Sequence, residues 1–176
     1  MQSAPSTDLP GIFIVEDEAL VAREIRARLT TMGYRVVGVA HSYDQALSRI
    51  QDVKPDLLLV DIRLQTEQEG IDVARDIVAE RDIPIIFLTA YSDENTVSKA
   101  KLVAPYGYII KPVENRELQI TIEIALYKHR VERELNETRQ LLATALQCIG
   151  NGLVFIGPDG GITNLNQDAE EIFGWS

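Results

Sequence analysis

The sequence predicts an α/β fold, a doubly wound five-stranded parallel sheet with helices on both faces, and three observations carry that prediction. Short apolar runs, rich in β-branched residues and without polar alternation, recur from Gly11 to Ile110, as strands covered on both faces require. Apolar residues at helical spacing fill the intervals between them. Reactive polar residues stand at the ends of the runs, where doubly wound sheets form their ligand crevice.

The strand runs are Gly11 to Val15, Arg35 to Ala40, Asp56 to Val60, Ile83 to Leu88 and Gly107 to Ile110. Val21, Ile25, Leu29 and Met32 mark the core stripe of a first helix, and Gly33 stands where it should stop. Tyr43, Ala46, Leu47 and Ile50 mark a second helix, with Ser42 and Gln45 spaced as a capping box at its start. Alternation of strands and helices over five such units gives a parallel sheet.

Composition narrows the function. With 27 Asp+Glu against 17 Lys+Arg, the net charge of -10 opposes non-specific attraction to nucleic acid and to anionic membranes. No apolar run approaches the ~20 residues of a membrane helix. Cys148 is a lone cysteine and the start lacks a signal-peptide pattern, so a cytoplasmic location is expected. The first ten residues, MQSAPSTDLP, are expected to form a flexible tail.

The strand ends carry the chemistry. The first run is followed by Glu16 and Asp17, the third by Asp61, the fourth by Thr89 and the fifth by Lys111, so four of the five strands deliver a reactive group to one rim. Taken singly, Asp61 fits a turn, Thr89 a cap and Lys111 a solvated charge. Glu18 fits the favourable charge at a helix amino end and is not counted in the site. Taken together, the residues need another explanation. Two carboxylates ~4 Å apart repel by roughly 4 kcal/mol at an effective dielectric of about 20, so a rim with three of them demands a cation. Hard oxygen donors with open positions suit Mg²⁺. With Mg²⁺ and an ammonium, the rim suits phosphoryl transfer: Asp61 attacks phosphorus, Lys111 neutralises the phosphoryl oxygens, and Thr89 donates its hydroxyl to the aspartyl phosphate.

The motifs "ED" at Glu16–Asp17, "LLLVD" ending at Asp61, "FLTAY" with Thr89, and "YGYIIKP" with Lys111 before Pro112 make residues 11–129 resemble a receiver domain of two-component response regulators. The resemblance implies the flavodoxin-like strand order 2-1-3-4-5 and a phosphorelay function, with Asp61 taking a phosphoryl group from a histidine kinase or phosphotransfer protein. The domain would catalyse both this transfer and the later loss of the phosphoryl group. It also implies Mg²⁺ held directly by Asp17 and Asp61, through water by Glu16, and by the backbone carbonyl of Arg63. Thr89 and Tyr108 would form the switch, and the Lys111–Pro112 peptide would be cis. The chain departs from the family pattern after the acceptor. Gln65 stands where proline is usual, and the loop to Gly70 is one residue longer. Arg63 and Tyr91 fall at variable positions bordering the pocket. A dehalogenase-type phosphohydrolase would need a second Asp where Arg63 stands, and no helix-turn-helix follows to make a DNA-binding regulator.

From Asn115 to Gln147 no Pro or Gly interrupts a helical pattern. Lys128, Val131, Leu135, Thr138, Leu142, Ala145 and Ile149 alternate in steps of three and four, an imperfect coiled-coil seam that predicts a parallel homodimer. The segment "HRVEREL" resembles the phosphoacceptor box of one histidine kinase class, which would make His129 the acceptor in a fragment of a hybrid kinase. No glycine-rich ATP-binding region follows, so a complete kinase is not expected in this chain. His41 is assigned to a loop. Residues 148–176 resemble the opening of a PAS sensor domain, with a hairpin at Pro158–Gly161 and a following helix. Leu153, Phe155, Ile162, Leu165, Ile172, Phe173 and Trp175 would there lack the rest of a domain to bury them.

Overall fold

The computed structural model describes residues 9–64, 70–90, 103–147 and 152–174. Residues 1–8 of the expected tail, Gln65, Tyr91, Cys148, Ile149 and Trp175 lie outside them, as does most of the stretch between Thr89 and Gly107. The chain divides into two compact units, residues 1–129 and 130–176.

The first unit is built on β1 (Gly11–Val15), β2 (Arg35–Ala40), β3 (Leu57–Asp61), β4 (Ile85–Thr89) and β5 (Gly107–Ile110). All neighbouring pairs are parallel, in the order β2-β1-β3-β4-β5. β1, β3 and β4 are buried along their whole length, which explains their unbroken apolar sequences. Alternate residues point to opposite faces and seed two cores. Phe13, Val15, Leu58, Val60 and Phe87 pack with α2 (Tyr43–Ile50) and α3 (Gly70–Glu80). Ile12, Ile14, Leu57, Leu59, Ile86 and Leu88 pack with α1 (Ala19–Thr31) and with Leu118, Ile122 and Ala125 of the long helix Asn115–Gln147. Each fully buried Leu, Ile or Phe contributes roughly 1.5–3 kcal/mol.

The local signals act as expected at α1 and α2. Gly33 takes φ +87, the left-handed conformation that ends the first helix. Ser42 Oγ accepts from the Gln45 N–H at 3.4 Å, while Gln45 Oε1 accepts from the His41 N–H at 3.1 Å. Two strands differ from the sequence reading. β3 begins after Asp56 and includes Asp61, whereas β4 begins after Pro84 and includes Thr89. Backbone pairing continues to Asp61↔Leu88 and Thr89↔Ile110, because ladder hydrogen bonds do not depend on side-chain polarity.

In the second unit, the long helix exposes every residue from Arg130 to Ala145, including Val131, Leu135 and Leu142 of the expected seam. β6 (Val154–Ile156) and β7 (Ile162–Leu165) form an antiparallel hairpin, followed by a short helix, Gln167–Phe173. Asn166 is buried and caps that helix: its Oδ1 accepts from the Ala169 N–H at 3.1 Å and the Leu153 N–H at 2.7 Å. Phe155, Ile162, Ile172 and Phe173 are exposed, whereas Leu153 and Leu165 are half-buried. Among the described residues, no helix is long and apolar enough to cross a membrane.

Gly70 opens α3 against the end of β3. Its N–H donates to the Ile62 carbonyl at 2.9 Å, and a Cβ there would lie 1.7 Å from the Asp61 carbonyl oxygen. Gly70→Ala is therefore expected to cost at least about 2 kcal/mol, read as a lower urea midpoint with an unchanged slope.

Candidate functional site

The strand order reverses between β1 and β3, so their carboxyl ends flank the crevice. The structure brings the predicted acidic residues together there. Glu16, Asp17 and Asp61 each offer an oxygen within 4.8 Å of the others. Like charges at that spacing repel by roughly 3–4 kcal/mol per pair at an effective dielectric of about 20. Glu16 is fully buried, Asp61 is 7% exposed and Asp17 is half-buried.

Lys111, at the end of β5, reaches into this cluster. Its Nζ donates to Asp61 Oδ2 at 2.6 Å and to Glu16 Oε2 and Oε1 at 2.8 and 3.1 Å. The Lys111–Pro112 peptide is cis, as expected. Just beyond it, Arg28 of α1 donates to the Val113 carbonyl and, at 3.1 Å, to Asn115 Oδ1. Three carboxylates against one ammonium leave the ionised cluster two charges negative. Such a donor set, all hard oxygen and partly desolvated, fits a divalent cation such as Mg²⁺.

Burial drives the electrostatics. Desolvation pushes the Glu16 carboxyl up to about 7, and the hydrogen bond from Lys111 only partly opposes it. Burial works to lower the Lys111 ammonium, but its bonds to Asp61 and Glu16 outweigh that effect and raise it above the ordinary lysine value.

Around the cluster, the Arg63 N–H donates to Asp61 Oδ1 at 3.0 Å, while the Arg63 side chain is exposed. A carboxylate oxygen has more than one acceptor site, so a hydrogen bond to it does not by itself bar a cation. Thr89 is 5% exposed, and its Oγ1 donates to the Ala90 carbonyl at 3.1 Å. Tyr108 packs against Phe87, with ring centroids 6.0 Å apart. Its buried hydroxyl has no hydrogen-bond partner among the described residues, and burial raises its pKa. His41 is the residue that the sequence reading missed: its Nδ1 lies 2.7 Å from the Glu16 carbonyl oxygen. Its place directly after β2 was the available signal. His129 is outside the cluster. Its Nε2 lies 2.8 Å from Asp82 Oδ1, and its ring meets Tyr106 edge-on at 5.6 Å.

This arrangement of an acidic trio, a strand-end threonine and a lysine before a cis-proline, on a 2-1-3-4-5 sheet, defines a class of phosphoryl-accepting signalling domains. Residues 12–123 match the response regulator receiver domain, and the chain belongs to that family. It is 32% identical over 133 residues to the transcriptional regulatory protein PdtaR of Mycobacterium tuberculosis, covering 73% of this chain and 64% of that protein. It is 30% identical over 142 residues to the regulatory protein AtoC of Escherichia coli, covering 80% of this chain and 30% of that protein. The chain thus spans less than two thirds of either relative. Among solved structures, it is similar to the signal receiver domain of a modulated diguanylate cyclase from Desulfovibrio desulfuricans, at 41% identity and TM-score 0.67, covering 71% of this chain and 99% of that one. It is also similar to the N-terminal domain of a response regulator/sensory box/GGDEF 3-domain protein from Carboxydothermus hydrogenoformans, at 32% identity and TM-score 0.64, covering 69% and 98%. Receiver domains of two-component response regulators bind Mg²⁺ at an acidic pocket, and Glu16, Asp17 and Asp61 form such a cluster here.

The raised Glu16 value has a consequence for stability. Between the ordinary 4.5 and about 7, the folded chain holds a proton that the unfolded chain has released. Raising pH through that window should therefore destabilise the metal-free protein, by up to about 3 kcal/mol. Urea unfolding in EDTA across the window measures this, and Glu16→Gln should flatten the slope.

Proposed function

We propose that this chain receives a phosphoryl group on Asp61 from a phosphohistidine of a histidine kinase or phosphotransfer protein and passes the change along its long helix. The observation that carries the reading is the Asp61 carboxylate, bonded to Lys111 at 2.6 Å and clustered with Glu16 and Asp17. An Asp61 oxygen attacks phosphorus as the bond from phosphorus to the donor's imidazole nitrogen breaks, and the electron pair leaves with that nitrogen. Lys111 faces the charge that spreads over the phosphoryl oxygens. Glu16, Asp17, Asp61 and the Arg63 backbone carbonyl would hold Mg²⁺, which neutralises the same oxygens when bound. Phosphohistidine is made from ATP, which supports a cytoplasmic location.

Thr89 and Tyr108 form the switch in this reading. The Thr89 hydroxyl spends its proton on the neighbouring Ala90 carbonyl, a local bond it can exchange for a phosphoryl oxygen. The Tyr108 hydroxyl is buried and has no partner among the described residues, a placement that would cost about 1–3 kcal/mol if none is supplied and would narrow the gap to an alternative placement of the ring.

Residues 11–129 act as the receiver, 115–147 as a signalling helix and 148–176 as the start of a PAS sensor module. Supporting the last assignment are the hairpin with its capped helix and the likeness to a protein described as a response regulator/sensory box/GGDEF 3-domain protein. The exposed Val131, Leu135 and Leu142 support pairing of two long helices in parallel. His129 does not suit the phosphoacceptor role: its side chain is 13% exposed and its Nε2 is engaged by Asp82.

Incubation with a small acyl phosphate should add one phosphoryl group, seen by intact mass, only when Mg²⁺ is present. Asp61→Asn should abolish the addition. Labelling that survives Asp61→Asn but disappears in His129→Gln would overturn the assignment. Replacing Val131, Leu135 and Leu142 together by serine should shift a dimer to monomer in light scattering, whereas an unchanged mass would refute pairing through this helix.

A further inference from the structure

By sequence, four of the five strands bring a reactive group to the rim, and the fifth, β2, ends in Ala40 with His41 next. His41 Nδ1 lies 2.7 Å from the Glu16 carbonyl oxygen. A carbonyl only accepts, so Nδ1 carries the hydrogen and the bond fixes the tautomer. On the other side of the same residue, the Glu16 N–H donates to the Ala40 carbonyl at 3.0 Å. Consecutive residues at the exit of β2 therefore hold Glu16 by both its N–H and its C=O. The two bonds straddle its Cα and restrain the dihedral on each side. Because the peptide is planar, fixing the Glu16 carbonyl also fixes the N–Cα bond of Asp17.

His41 is itself held. Its N–H donates to Gln45 Oε1 at 3.1 Å, and the Gln45 N–H donates to Ser42 Oγ at 3.4 Å. The start of α2 thus anchors the backbone that carries the imidazole. The path runs from the cap of α2 through His41 to the peptide between the two acidic residues, without touching either carboxylate.

We propose that His41 is a positioning residue: its Nδ1–H bond to the Glu16 carbonyl sets the direction in which Glu16 and Asp17 present their carboxylates to a divalent cation. This inference rests on the Mg²⁺ site proposed above. Residues that orient metal ligands in this way commonly change affinity by about tenfold or more when removed.

Calorimetric titration of the full, EDTA-treated chain with Mg²⁺ alone, at mildly alkaline pH, provides the test. His41→Ala should weaken binding about tenfold. His41→Asn should restore affinity close to that of the wild type, because an Asn amide nitrogen lies the same number of bonds from Cα as Nδ1. His41→Gln, whose amide lies one carbon further out, should bind as weakly as His41→Ala. If His41→Ala does not fold, the contrast between Asn and Gln decides alone. Equal affinity in all variants, even with lowered urea midpoints, would leave His41 a purely structural role and overturn the proposal. Equal weakness of Asn and Gln would overturn the assignment to Nδ1–H. Failure of the wild type to bind Mg²⁺ would remove the underlying site and this inference together, an outcome distinct from wild-type binding that is indifferent to His41.

Discussion

The Lys111 ammonium, set between Glu16 and Asp61, is the contact on which the rim depends. A fully buried carboxylate such as Glu16 is costly unless paired, and its pair here comes from a strand three positions away in the sheet. Formation of the cluster therefore requires β1, β3 and β5 to be in register at their carboxyl ends. The same ammonium ties the proposed chemistry to the fold: the group that steadies Glu16 and Asp61 is the one proposed to face incoming phosphoryl oxygens.

The two cores explain how so polar a rim is tolerated. Apolar side chains fill both faces of β1, β3 and β4, and the polar residues begin where those strands meet the crevice. Local bonds at the rim satisfy what the cores cannot. Arg63 N–H serves Asp61, the Ala90 carbonyl serves Thr89, and Arg28 holds the turn after Pro112. Tyr108 is the exception, with its hydroxyl buried and unserved among the described residues.

Much of this was legible in the sequence because the signals were local. The strand runs, the Gly33 stop, the Ser42–Gln45 cap and the uninterrupted Asn115–Gln147 helix all follow from residue chemistry within a few positions. Strand ends were read one residue short at Asp61 and Thr89, since hydropathy stops where the apolar side chains stop while backbone pairing goes on. The acidic trio is legible because its members all stand at strand ends. His41 escaped because its bond is made to a backbone carbonyl, and no side-chain pattern records such a partner. The contacts of His129 with Asp82 and Tyr106 were likewise invisible, being formed across long stretches of chain.

The bond from Gly70 N–H to the Ile62 carbonyl closes the chain on itself just after Asp61. Once the two ends of a loop are clasped, its length enters the free energy only through the logarithm of the number of residues between them. One residue added to such a loop then costs about 0.1 kcal/mol of closure entropy, well below thermal energy. Length alone therefore weighs little on the stretch between Leu64 and Gly70, while Asp61 stays where β3 holds it.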